Sequence, residues 1–281
     1  MPNSLILLDN VVSMVGQFPV LSGVNLRVNA GEVVLIEGPN GAGKSSLLRL
    51  CAGLLPVSRG EGKVFGFDLR TERDQVKSHV GLLGHSVALY DELTVRENLV
   101  FQIKAARGDM ARIPSALDML GLTGRLTNTR AGSLSAGQRR RAAIAILVAR
   151  NPDIWLLDEP HASLDAQARD VLDDIIRQAA LSGTTILVAS HEPDTLAGRV
   201  VSVSGGLVVN DTATHVTLNG KATAESTAES TAGATAENMA GHTAESTAGH
   251  TAESTAGHTA ESGESYIVQA MSAREGDFHV A

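Results

Sequence analysis

A chain of 281 residues with 43% apolar side chains can bury one large core or two small ones, and only 3% aromatics leave aliphatic side chains to fill it. The longest apolar runs, such as Ile154-Trp155-Leu156-Leu157, fall far short of the ~20 residues of a membrane span, and the first residues do not read as a secretory signal. The net charge of −8 is uneven: residues 221–281 hold two cations and nine acids, so residues 1–220 are nearly neutral and nothing in their charge points to nucleic acid. The single cysteine, Cys51, excludes an internal disulfide and fits a reducing compartment.

In chain order, residues 5–8 and 24–28 read as short strands. Glu32-Val33-Val34-Leu35-Ile36 is a clearer one that leaves into a glycine loop, and residues 45–52 follow as a helix. Residues 53–85, rich in glycine and short apolar runs, read as small strands and turns. Helical patterns dominate from Thr94 to Leu147, with candidates at 95–106, 115–120 and 136–149. After Asn151-Pro152 come a buried strand at 154–157, a helix at 166–181 and a strand at 184–189. Strands alternating with helices imply a mainly parallel sheet. Residues 200–209 read as a closing hairpin around Gly205-Gly206.

Composition changes abruptly near residue 221. Residues 223–262 are a run of four-residue units such as TAES and TAGH, almost free of large apolar residues. Such a segment cannot bury enough surface to offset its ordering entropy, so 221–281 is expected to be a low-complexity, disordered acidic tail. His242, His250 and His258 recur in it, each after Ala-Gly. A His array for metal or haem and a plain solvated tether are both open readings, and composition favours the tether.

Gly38-Pro39-Asn40-Gly41-Ala42-Gly43-Lys44-Ser45 fits the phosphate-loop pattern and lies between strand and helix, where the mechanism needs it. Its backbone N–H groups can converge on phosphate oxygens, and the following helix adds its positive end. Lys44 is then expected on the β- and γ-phosphates and the Ser45 hydroxyl on Mg²⁺. Ser46 completes the nucleotide-binding set. Downstream, the apolar strand at 154–157 ends in Asp158-Glu159. Acids at the carboxyl edge of a parallel sheet stand where such sheets bind ligands. Asp158 is expected to orient Mg²⁺, and Glu159 to act as general base on the attacking water.

Leu134-Ser135-Ala136-Gly137-Gln138 stands between these motifs, and Ser163-Leu164-Asp165 and Ser190-His191 follow. The order resembles the ATP-binding-cassette (ABC) ATPases over about residues 5–210. That resemblance implies an α/β P-loop NTPase fold with a RecA-like core, a small antiparallel β part and a helical subdomain at about 86–147. The ATPase domain would span 1–220, ahead of the tail. It also implies ATP hydrolysis by a pair of copies. Ser135, Ala136, Gly137 and Gln138 of one copy would face the γ-phosphate bound by the other, and Asp165 would touch across the same seam. His191 would hold the γ-phosphate and the attacking water as a third catalytic residue beside Glu159 and Lys44.

The chain departs from the family pattern at three places. Ala136 replaces a glycine. His85 replaces the usual glutamine, where it would serve as a further group toward Mg²⁺. Val15 stands where an aromatic usually stacks on adenine, with Phe18 nearby as either a substitute or a core residue. Leu82-Leu83-Gly84-His85, Leu134 to Arg141 and Asp158-Glu159-Pro160-His161 resemble the ATPases of haem export and cytochrome c maturation (CcmA-like). The implied setting is peripheral, on the cytoplasmic face of the membrane, docked on integral membrane subunits. Two alternatives remain: the ATPase of a drug or lipid exporter, and a soluble ABC assembly ATPase.

Overall fold

The computed structural model describes residues 4–190 and 198–212. The expectations for His191 and for the tail at 221–281 lie outside the described residues. β1 (Ser4–Val15) and β2 (Phe18–Asn29) form an antiparallel pair, far longer than the short strands expected. The reason is a register shift between Leu8 and Val11, where Asn10 takes φ 48°. Buried positions switch there from Ile6 and Leu8 to Val11 and Ser13. One extra residue moves the inward face from even to odd positions, so the alternation fades although the strand continues. β4 (Arg59–Val64) and β5 (Phe67–Asp68) complete this sheet in the order β2-β1-β4-β5.

The second sheet is the expected parallel one. It contains β3 (Val33–Glu37), β6 (Val80–Leu83), β7 (Ile154–Asp158), β8 (Thr185–Ala189), β9 (Arg199–Ser204) and β10 (Leu207–Thr212), ordered β10-β9-β3-β8-β7-β6. Every pairing is parallel except that of β10 with β9, which is the anticipated hairpin. β7 and β8 are buried at every residue, as strands covered on both faces must be. Alternate side chains divide the core in two. Val34, Ile36, Leu156 and Leu187 pack with α1 (Lys44–Cys51) and the antiparallel sheet. Leu35, Trp155, Leu157 and Val188 pack instead with α3 (Val95–Ala105), α4 (Ile113–Met119), α5 (Ala136–Arg150) and α6 (Ala166–Leu181).

α2 (Arg73–His79), in the stretch read as strands and turns, is a helix. It buries only Val76, so it has no apolar stripe from which a helical period could be read. Side-chain caps fix the starts of α3, α5 and α6. Thr94 and Glu97 form a reciprocal box on α3, and Asp165 accepts the Ala168 N–H at 2.8 Å on α6. Among the described residues no helix is long and apolar enough to cross a membrane.

Cys51 is fully buried on α1, and burial pushes its thiol up to about 12. Only the thiolate reacts, so the folded chain should resist a disulfide reagent at pH 8. Denaturation should release one reactive thiol per chain, and a thiol titration before and after adding denaturant checks this.

Candidate active site

The phosphate loop joins β3 to α1 through backbone that only glycine enters easily. Gly38 has φ 146°, and a Cβ there would lie 2.2 Å from the Val203 carbonyl oxygen. Gly43, with φ 110°, packs against Gly206 and Val20. The β9–β10 turn therefore braces the loop, and the Gly206 N–H donates to the Ala42 carbonyl at 2.8 Å. Lys44 is 7% exposed, and its Nζ donates to the carbonyls of Gly38 at 2.6 Å and Pro39 at 3.2 Å. The ammonium is thus held over the loop by the loop's own oxygens.

A cavity of about 680 Å³ opens above this loop. Asn40, Gly41, Ala42, Gly43, Lys44, Ser45 and Ser46 line one side, and His85, Asp158 and Glu159 line another. Residues separated by more than a hundred positions in sequence thereby meet at the carboxyl edge of the parallel sheet. Pro19, Val20, Gly205 and Gly206 close the remaining wall. Phe18, the residue before Pro19, is 78% exposed. That removes the core reading of Phe18 and leaves its side chain exposed, one residue before the cavity wall. Val15, its cross-strand partner, is also exposed.

Asp158 ends β7 and is 4% exposed. Glu159 follows with φ 47°, a left-handed conformation that a side chain with a Cβ rarely takes. Its N–H donates to the Ala189 carbonyl at 2.9 Å. His161 is tied to Asp173 on α6 at 2.7 Å. His85 is exposed on the loop after β6. The segment beyond it is held by Asn98, whose fully buried amide accepts from the Tyr90 N–H and donates to the carbonyls of Tyr90, Leu93 and Thr94. Ser190 is buried at the end of β8 and is the last described residue before His191.

Ser135, Ala136, Gly137, Gln138 and Asp165 do not line the cavity. The Gln138 N–H donates to Ser135 Oγ at 3.2 Å, while the Ser135 N–H donates to Gln138 Oε1 at 2.9 Å. This box starts α5 and leaves the Ser135 hydroxyl hydrogen for another acceptor. Ser135, Ala136 and Asp165 are exposed. The two glycine positions of the motif differ sharply. Ala136 carries its methyl at the surface, whereas a Cβ on Gly137 would lie 2.9 Å from the Ser163 carbonyl oxygen. The backbone of α5 thus abuts the segment leading to Asp165, and only the second glycine is required.

Sequence reasoning missed Arg140, which is 2% exposed on α5. Burial lowers the pKa of its guanidinium, while the carboxylates of Asp158 and Glu159 act to raise it. It also missed the wall made by residues 19, 20, 205 and 206, since nothing local in those residues announces a ligand.

Residues 21–162 match the family described as "ABC transporter". The cytochrome c biogenesis ATP-binding export protein CcmA of Shewanella frigidimarina is 39% identical over 170 residues, 60% of this chain and 78% of that protein. The glutamate/aspartate import ATP-binding protein GltL of Escherichia coli strain K12 is 34% identical over 218 residues, 74% of this chain and 90% of that protein. A dimeric ATP-binding cassette solved in a post-hydrolysis state with ADP and Pi superposes with a TM-score of 0.69 at 27% identity, covering 75% of this chain and all of the other. A phosphate loop and a pair of strand-end acids around one cavity are what an ATP-hydrolysing subunit requires, and with these likenesses the chain belongs to the ABC transporter family as an ATP-binding subunit that hydrolyses ATP to drive transport.

Proposed function

We propose that two copies of this chain close over two ATP molecules and drive membrane subunits that export a substrate during cytochrome c maturation. The observation that carries the paired arrangement is the split between cavity and signature. Lys44, Ser45, Asp158 and Glu159 share one cavity, while Ser135 and Gly137 lie outside it on an exposed helix start. A helix N-terminus with a free hydroxyl hydrogen favours an anion, and a second copy supplies one in its bound γ-phosphate.

In this reading Gly38, Pro39, Asn40, Gly41, Ala42, Gly43 and Ser46 cradle the phosphates. Lys44 leaves the loop carbonyls for the β- and γ-phosphates. The donors of Ser45 and Asp158 are oxygens, which suit Mg²⁺. Among the described residues no group of three His, Cys, Asp or Glu could hold a metal by itself, so nucleotide and water fill the rest of the shell. Mg²⁺ neutralises charge on the phosphates when bound. His85 offers nitrogen, which suits softer metals, and acts from the rim of the cavity by hydrogen bonding. Glu159 takes the proton of the attacking water, His191 steadies the γ-phosphate, and Asp165 contacts the other copy. Phe18 covers the adenine in place of the missing aromatic at Val15.

The export role is supported by Gly84-His85 and by relatives named as cytochrome c biogenesis export proteins, which include one from Nitrobacter winogradskyi at 40% identity. Transport of another small molecule is the second reading, favoured by the import protein GltL, which at 34% identity matches a larger share of this chain. Affinity purification from membranes separates the two. Recovery of integral membrane proteins together with haem-handling proteins is expected. Recovery of an amino-acid or sugar permease instead would remove the cytochrome c role while leaving the ATPase reading intact.

A further inference from the structure

We infer that Arg140 is a positioning residue for ATP hydrolysis, which sets the backbone of Glu159 and of the His85 loop from the first turns of the signature helix. The proposal rests on reading Glu159 as the general base. Arg140 Nη2 donates to the carbonyl of Glu159 at 2.6 Å and to that of Asp158 at 3.0 Å. Its Nε donates to the Pro160 carbonyl at 3.2 Å, and its Nη1 to the Gly84 carbonyl at 2.6 Å. One guanidinium therefore grips three consecutive peptides around the base and the peptide that precedes His85.

Burying a guanidinium is expensive unless its donors are used, and here they go to backbone carbonyls instead of to a carboxylate. Such an arrangement adds little to stability that an apolar side chain could not supply. What it adds is geometry, because the planar fork fixes several acceptors at once. Glu159 needs that geometry. Its left-handed φ of 47° persists only when its surroundings hold it. The Ala189 carbonyl holds its N–H, while Arg140 and the Ala162 N–H hold its carbonyl. Arg140 belongs to the helix that Ser135 starts, about one and a half turns from that cap. A shift of the signature helix on contact with the second copy is thereby transmitted to the base and to His85 through one side chain.

The test uses the full chain with Arg140→Met and Arg140→Lys. Steady-state phosphate release gives kcat and KM, a fluorescent ATP analogue with Mg²⁺ gives nucleotide affinity, and the fluorescence of Trp155, the single tryptophan, follows unfolding. Misplacing a catalytic group by about 1 Å costs about 100-fold, so Arg140→Met should lower kcat by about 30- to 100-fold with nucleotide affinity and KM kept within about threefold. Arg140→Lys, which keeps the charge but loses the fork, should recover part of the rate. A native kcat in the folded methionine variant, or a fall in kcat matched by an equal loss of affinity, overturns the proposal. If the methionine variant does not fold, the lysine variant decides: reduced kcat at unchanged affinity supports it and native kcat overturns it. Glu159→Gln is measured alongside. Turnover retained there means that the general-base reading has failed, whereas turnover lost there with native kcat in the Arg140 variants means that only the Arg140 proposal has failed.

Discussion

Replacing Glu159 with glutamine should slow ATP turnover by about 10²- to 10⁴-fold, the usual cost of losing a general base. The change is nearly isosteric and leaves the main-chain bonds of residue 159, to Ala189 and to Arg140, in place. What is lost is the oxygen able to accept a proton from water. Asp158, 4% exposed at the end of β7, lies one residue earlier in the strand and in the proposed arrangement serves Mg²⁺, so it is not expected to substitute. Binding should survive, since the phosphate loop and Lys44 are untouched, and it should tighten, since one negative charge leaves a cavity that receives a polyanion. Phosphate release in the steady state and nucleotide retention on rapid filtration measure both effects. Turnover within about twofold of the native rate would assign the base elsewhere.

Lys44→Ala should remove useful ATP binding. A buried charge paired with phosphate typically carries about 2–5 kcal/mol on truncation, which is about 30- to 5000-fold in Kd. The ammonium rests on the carbonyls of Gly38 and Pro39, 2.6 and 3.2 Å away. Those carbonyls can take water instead, so the loop should keep its shape. The loop is independently fixed by the Gly206 bond to Ala42 and by the start of α1, where the Leu47 N–H reaches the Gly43 carbonyl at 2.8 Å. Titration calorimetry with ATP and Mg²⁺ should therefore show the loss, while Trp155 fluorescence shows an unchanged melting temperature. An unchanged Kd would remove Lys44 from the phosphate site.

Motifs whose chemistry needs consecutive residues were legible in the sequence. The phosphate loop, the acid-ended strand and the signature could each be read from a few neighbours, and residues of the first two line one cavity. The alternation of strands and helices likewise foretold the parallel sheet. Features that depend on partners distant in sequence were not legible. The antiparallel sheet pairs β1 with β4, and nothing within either strand names the other. α2 escaped because one buried valine makes no stripe. Arg140 left a faint signal, because it shares the inward face of α5 with Ile144 and Leu147, at the i, i+4 and i+7 spacing of core positions. A charge on a core stripe requires partners, but which carbonyls supply them is decided only by the fold.

The claim on which the account turns is that each active site is shared between two copies. Its most direct test is the solution mass of Glu159→Gln, by light scattering on a sizing column, with and without ATP and Mg²⁺. The account predicts the mass of one chain without ATP and of two with it. The doubling should disappear when Ser135→Arg is added, since Ser135 lies on the exposed start of α5 and outside the cavity of its own chain. A protein that binds one ATP per chain and keeps the mass of a single chain would contradict the shared site.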